Sequence, residues 1–294
     1  MSHSLRKKLW YLLFTGPTCV IFATVVLVPF VIGLVYTFAD WNGIPLNPVT
    51  WIGFANYAAL PRDTQFFSSM GHTFLYTVIA IITINLFGLA FALITTSGVR
   101  GANVARTMFF MPYLIGGIIL GYIWKFVFMN VLPSFSSIAD PTTGFFSNWL
   151  NNPVPALFAM VVVSTWQMAG YIMIIYIAGL TNIPVDVMEA ANVDGANFWQ
   201  RLRHITLPLL APSFTICLFL TLSNSFKIYD VNLSLTKGGL YNTTQMLAMN
   251  IYNEIFQSHH YGYGQTKALV FFVVVAAITL TQVYLSKRNE VEMQ

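Results

Sequence analysis

Six long apolar stretches alternate with shorter polar segments along this chain. They run near residues 9–38, 72–96, 104–129, 155–180, 208–226 and 268–286. Each is long enough for a helix of about 20 residues to cross a hydrocarbon core roughly 30 Å thick. The pattern therefore predicts an all-α integral membrane protein with six transmembrane helices, organised as a single domain over residues 1–294. Pro29 falls inside the first stretch and is expected to kink it or to mark an exit near Phe38. That stretch follows Arg6-Lys7-Lys8, as a signal peptide would. It is too long for the apolar region of one and has no small-x-small cleavage site after it, so it reads as an uncleaved first span.

One polar stretch, residues 184–207, carries helix punctuation between two of the apolar runs. Pro184 suits a first helical turn. Asp186 can cap free N–H groups, with Glu189 three residues on in capping-box register. Val187, Met188 and Ala191 share a helical face. Asp194-Gly195 then breaks the helix, because glycine accepts a left-handed backbone. A second short helix, from Asn197 to His204, is expected before Pro208 opens the next span. On the residues alone this is a helix, a tight turn and a helix at a membrane surface, and an ordinary amphipathic loop fits equally well.

Composition supports the membrane reading. The chain is 56% hydrophobic and only 8% charged, against about 25% charged in soluble domains. A net charge of +4 is too modest to imply nucleic acid. Its placement is more informative. Arg6, Lys7, Lys8, Arg100, Arg106, Arg201, Arg203, Lys287 and Arg288, nine of the 14 lysines and arginines, fall on one side of the six-span pattern. The positive-inside rule puts that side, with both termini and the Glu189 loop, in the cytoplasm of a multi-pass protein of the cell membrane. Cys19 and Cys217 each lie in an apolar run and suggest no disulfide framework.

Several kinds of chemistry are missing from the sequence. No glycine loop ends in Gly-Lys-Ser/Thr, so ATP hydrolysis would have to be done by another polypeptide. His259 and His260 are adjacent, with rings expected to diverge, and no His-x-x-x-His pair exists; no metal ligands are assigned, nor any catalytic residue. None of the ten acids falls in a proposed span, which disfavours a proton-coupled carrier. Neutral hydrogen-bonding groups and aromatic rings, which suit sugars, occur in the third to fifth spans. Gly117-x-x-x-Gly121 permits close helix approach. Asn42-Gly43 signals a turn, and the Trp-rich first outer loop reads as an interfacial aromatic belt. Lys125 is the one cation near the expected path.

Glu189-Ala190-Ala191, then Gly195, Ile205, Leu207 and Pro208, match in full the spaced EAA signature of permease subunits of bacterial ABC importers. The chain resembles that family over nearly its whole length. Trp51-x-Gly53-x-x-Asn56-Tyr57 and Thr236-x-Gly238-Gly239 are similar to its carbohydrate-uptake, maltose-permease-like branch, although Leu240 stands where that branch usually has proline. The resemblance implies the type I importer permease fold with a cytoplasmic coupling helix. It gives Glu189, Ala190, Ala191 and Gly195 to ATPase coupling, and Tyr113, Ser164, Gln167, Asn224 and Ser225 to the substrate path. It further implies a sugar cargo, a second homologous permease, two ATPase subunits holding ATP and Mg, and an extracytoplasmic solute-binding protein; no cofactor is expected on this chain. Glycerol phosphate or another polyol is the alternative cargo. A stand-alone secondary carrier and a multi-pass membrane enzyme are the alternatives of other classes.

Overall fold

The computed structural model describes residues 3–134 and 149–288. Asp140, Glu290 and Glu292, counted above among the acids outside the spans, lie outside the described residues. Helix α1 (His3–Phe22) passes through a π-helical turn, Ala23–Leu27, into α2 (Val28–Tyr36). A two-residue antiparallel ribbon follows, β1 (Ala39–Asp40) against β2 (Thr50–Trp51), with Ala39 opposite Trp51. Next come α3 (Ala55–Ala59) and the long α4 (Thr64–Thr96). The third expected span is α5 (Ala102–Phe110), a 3₁₀ turn at Met111–Leu114, and α6 (Gly117–Phe126), which continues to Ser134. Helix α7 (Pro153–Thr181) leads to α8 (Val185–Val193), α9 (Phe198–Arg201), α10 (Leu207–Leu209) and α11 (Ala211–Phe226). The last helices are α12 (Leu247–Phe256) and α13 (Tyr261–Arg288).

Among the described residues, five straight segments are long and apolar enough to cross a membrane, and a bent pair makes a sixth. Large apolar side chains stay on the outside of these helices: Phe14, Ile21, Ile82, Phe87, Leu280 and Tyr284 are all exposed. Only lipid or another apolar surface can cover them.

Two of the six expected spans need correction. Residues 104–129 are not one helix. Ile115 and Gly116 are extended (ψ 126° and 139°), so the chain breaks in mid-stretch. Hydropathy measures composition and is blind to backbone continuity; Pro112 and Gly116 carried the break. The fifth span does not start at Pro208. The pieces 198–209 and 211–226 meet at 70°, so the straight helix begins only at Ala211.

Proline also explains three of the four π turns among the described residues; the fourth, Asn232–Thr236, has no proline after it. Pro29, Pro133 and Pro208 each sit two residues after one, and the residue just before each proline bonds five residues back: Val28 to Ala23, Leu132 to Val127, Leu207 to Leu202. A proline ring collides with the carbonyl four residues earlier, and a widened turn moves that carbonyl aside. The first helix therefore runs through Pro29 and ends at Tyr36 instead of breaking.

The chain divides into two compact units, residues 1–64 with 251–271, and residues 65–250 with 272–294. In the first, Asn56 donates to the carbonyls of Thr37 (2.9 Å) and Ala39 (3.0 Å), and the Tyr57 hydroxyl bonds Thr37 Oγ1 at 2.8 Å. The Trp-Gly-Asn-Tyr motif thus ties down the backbone at the end of α2. Asn42-Gly43 forms its turn, with Gly43 at φ +81°. The same unit holds an ion-pair cluster. Lys267, 1% exposed, lies 2.7 Å from Asp63 and 2.5 Å from Glu254; Tyr263 donates to Asp63, and His260 bonds Glu254.

In the second unit α7 is the most buried of the spans, and polar pairs clamp its neighbours to it. Tyr76 bonds Ser164 (2.7 Å) and Thr83 bonds Thr165 (2.7 Å). Tyr176 donates to Asn85, which donates to Thr221. Bonds of this kind between membrane helices contribute about 0.6 kcal/mol each on average.

Candidate functional site

Two places gather the residues that the sequence singles out, and both lie in the second unit. The first is the helix–turn–helix after α7. Pro184, not Asp186, is the N-cap of α8, and no side chain caps that end. Asp186 already sits inside the first turn, so the expected capping box with Glu189 is absent. The real one is a helix later: Gln200 N–H bonds Asn197 Oδ1 (2.9 Å) and Asn197 N–H bonds Gln200 Oε1 (2.8 Å). The break falls where expected. Ala196 N–H bonds the Ala191 carbonyl, Gly195 N–H bonds that of Asn192, and Gly195 takes φ +73°. This is the hydrogen-bond pattern of a Schellman turn, which needs a left-handed residue at that point. Past the turn, α9 enters a third π turn, Leu202–Thr206, before the bend.

Glu189 and Ala190 are exposed on α8, while Ala191 is buried, 6% exposed. The two alanines therefore do different work. Ala191 is buried, and it lines a shallow groove together with Ala190, Ala196 and Ile205. Arg201 bonds the side chain of Asn192 and so braces the second helix against the first. Around this polar loop stand exposed apolar side chains, Val193 (87% exposed) and Trp199 (73%).

The second place is a cavity of about 290 Å³. Tyr113, Ser164, Gln167, Asn224 and Ser225, drawn from three different spans of the sequence, all line it. The broken third span is what brings Tyr113 there. Its ring stacks on Tyr171 with centroids 4.4 Å apart. Gln167 spans the break, donating to the Ile115 carbonyl at 2.9 Å, a backbone group that the extended segment would otherwise leave unpaired. Ser164 is held by Tyr76, which lines the cavity too. Asn224 donates back to the Leu220 carbonyl. Ser225 Oγ is buried and has no hydrogen-bond partner among the described residues.

Among the polar residues on this wall, sequence reasoning missed Tyr76, Lys227 and Asp230. Lys125, the cation expected nearest the path, does not line the cavity. Asp230 looked like a loop acid because it lies beyond the apolar run. Its signal was its four-residue spacing to Ser234, which matches Gly117 and Gly121 on α6. A Cβ on Gly121 would sit 1.8 Å from Ser234 Oγ, and one on Gly117 would sit 2.8 Å from Asp230 Cβ. The expected close approach is therefore between α6 and residues 230–234.

A larger hollow, about 380 Å³, is lined by Phe87, Phe91, Met108, Phe109 and Trp166. Its two hydroxyls, Thr83 and Thr165, bond each other. It offers a polar ligand almost nothing. Among the described residues no three His, Cys, Asp or Glu side chains come together as metal ligands would.

Residues 84–291 match the family described as binding-protein-dependent transport system inner membrane component. The chain is 46% identical over 289 residues to a probable starch degradation products transport system permease protein, AmyD, of Thermoanaerobacterium thermosulfurigenes, covering 98% of this chain and 97% of that protein. It is 31% identical over 259 residues to the multiple sugar-binding transport system permease protein MsmF of Streptococcus mutans, covering 88% and 89%. Among solved structures it is similar to a chain of a bacterial ABC transporter involved in the import of the acidic polysaccharide alginate, with a TM-score of 0.84 at 22% identity over 97% of each chain.

Proposed function

Since the chain belongs to the family of binding-protein-dependent transport system inner membrane components, we propose that it is the permease subunit of an ATP-driven sugar importer whose cargo is an oligosaccharide or glycoside. A member of this family is a multi-pass transport subunit and not an enzyme. The single observation that supports the cargo best is the cavity of about 290 Å³ on which Tyr113, Ser164, Gln167, Asn224 and Ser225 converge. Its volume is at the small end of ligand sites. Its lining offers hydroxyls, amides and a tyrosine face, and a sugar presents hydroxyls and apolar C–H surfaces. The similarity to AmyD and MsmF, whose names specify sugar cargo, points the same way.

In this reading the α8–turn–α9 unit is the coupling element, on the cytoplasmic side with both termini. Exposed Glu189 and Ala190 face an ATPase subunit, Ala191 holds α8 to its own chain, and Gly195 makes the turn. The partners are a second homologous permease, two ATPase subunits that carry ATP and Mg, and an extracytoplasmic solute-binding protein. Closure of the ATPase dimer moves the coupling element, the spans open the cavity outward, and hydrolysis resets it. A second reading, an anionic cargo such as glycerol phosphate, rests on Lys227; Asp230 on the same wall opposes it.

The test is purification of the tagged chain from detergent, with mass spectrometry of what accompanies it and ATPase activity measured across a glycan panel. Recovery of an ATPase and a second permease, with stimulation by a neutral oligosaccharide in the presence of the binding protein, is the expected result. A chain that purifies alone and moves solute in liposomes would overturn it in favour of a secondary carrier.

A further inference from the structure

We propose that Asp230 is the specificity-determining residue of the cavity, selecting uncharged, hydroxyl-rich sugars over anionic ones. The inference rests on the sugar reading above and deepens it. Asp230 and Lys227 both line the cavity, and among the described residues neither side chain is engaged in a hydrogen bond or ion pair; Ser234 Oγ donates to the backbone carbonyl of Asp230, at 2.6 Å, and not to its carboxylate. They are charged groups kept available at a ligand-sized hollow.

Asp230 is exposed, and the segment that carries it packs closely against α6. It packs where Gly117 of α6 has no side chain, and a Cβ there would come within 3.1 Å of Asp230 Oδ2. Four residues on, Gly121 receives Ser234 in the same way. Two glycines on one helix thus seat the segment that carries Asp230. On the same cavity Ser225 Oγ, in a residue 3% exposed, has no partner among the described residues.

The chemistry of the set is selective. An ionised carboxylate only accepts hydrogen bonds, and sugar hydroxyls donate them; such charge-assisted bonds are about twice as strong as neutral ones. A uronate carboxylate or a phosphate brought to the same place meets like charge, which opposes its binding. Lys227 offsets the charge of Asp230, so the wall as a whole holds no excess positive field to draw anions in. Rejection of the wrong ligand is built beside attraction of the right one.

The test uses the co-purified complex in detergent, with ATP present and Mg withheld, and measures equilibrium binding of radiolabelled maltotriose with and without trigalacturonate as competitor. The wild-type complex should hold maltotriose and ignore trigalacturonate. Asp230→Asn should weaken maltotriose binding about tenfold, the effect of losing a hydrogen bond to a charged group, and should let trigalacturonate compete. Asp230→Ser, smaller and uncharged, should do the same and serves if the Asn variant does not assemble. A variant that matches wild type in both respects overturns the proposal alone. A wild-type complex that holds no maltotriose overturns the sugar reading, and the proposal with it.

Discussion

Lys267 shows what a single residue can hide in a hydropathy pattern. It opens an apolar run and looks like a topology marker, yet it is buried between Asp63 and Glu254 with its ammonium 4.8 Å from the Tyr263 ring centre. Removing one partner of a buried ion pair costs about 3–5 kcal/mol, because the other charges stay behind uncompensated. Lys267→Met should therefore lower the thermal stability of the detergent-solubilised chain sharply, read as a fall in Tm, and Glu254→Gln in the same chain should recover part of it. An unchanged Tm would mean that the cluster is incidental. Gly195 is the opposite kind of residue, with its role written openly in the sequence. An added side chain would meet nothing within 4 Å, so only the backbone angle, φ +73°, resists substitution. That resistance is worth about 1–2 kcal/mol. Gly195→Leu should leave the complex assembled while sugar uptake falls relative to ATP hydrolysis; normal uptake per ATP would refute the turn's part in coupling. The two cases differ because a turn is specified by neighbours in sequence, whereas Lys267 meets partners from separate stretches of the chain.

At the scale of elements, the sequence was readable wherever apolar length alone decides the outcome. Helices α4, α7 and α13 contain their expected spans and extend beyond them. It was misleading wherever proline or glycine reshapes an apolar run from within, as in the interruption at Ile115–Gly116 and the 70° bend at Leu210. Those irregularities are what build the site. Tyr113 sits on the 3₁₀ turn just before the break, and Gln167 is positioned by the carbonyl that the break exposes. The five residues that line the cavity could be named from motifs, but their neighbours Tyr76, Lys227 and Asp230 required packing to be found. Packing also separates glycines that look alike in sequence. A Cβ on Gly116 meets nothing within 4 Å, while one on Gly121 strikes Ser234 at 1.8 Å. Gly121→Val should force α6 away from residues 230–234, at about 1–3 kcal/mol for overpacking, and reduce both Tm and ligand binding. Gly116→Ala should behave close to wild type in the same two assays. Equal effects from both would deny that the α6 contact is tighter at Gly121 than at Gly116.

For the molecule as a whole, orientation decides whether the proposed mechanism is possible, because ATP is available on one side of the membrane only. The argument for it is electrostatic. In the six-span reading of the sequence, nine of the 14 lysines and arginines are assigned to the side of the Glu189 loop, and basic residues flanking spans are retained in the cytoplasm. Two exposed positions make this measurable. Val193, at the end of α8, is 87% exposed, and Leu46, between the two short strands, is 95% exposed. Cys19 is exposed and Cys217 buried, so both should first be replaced by serine and alanine respectively to remove background. In right-side-out vesicles a membrane-impermeant maleimide should then label Leu46→Cys directly and Val193→Cys only after permeabilisation. Labelling of Val193→Cys in sealed vesicles would put the α8–α9 turn where no ATPase can reach it. The charge asymmetry would then have to be explained without the positive-inside rule, and the coupling role of Glu189 and Gly195 would be lost with it.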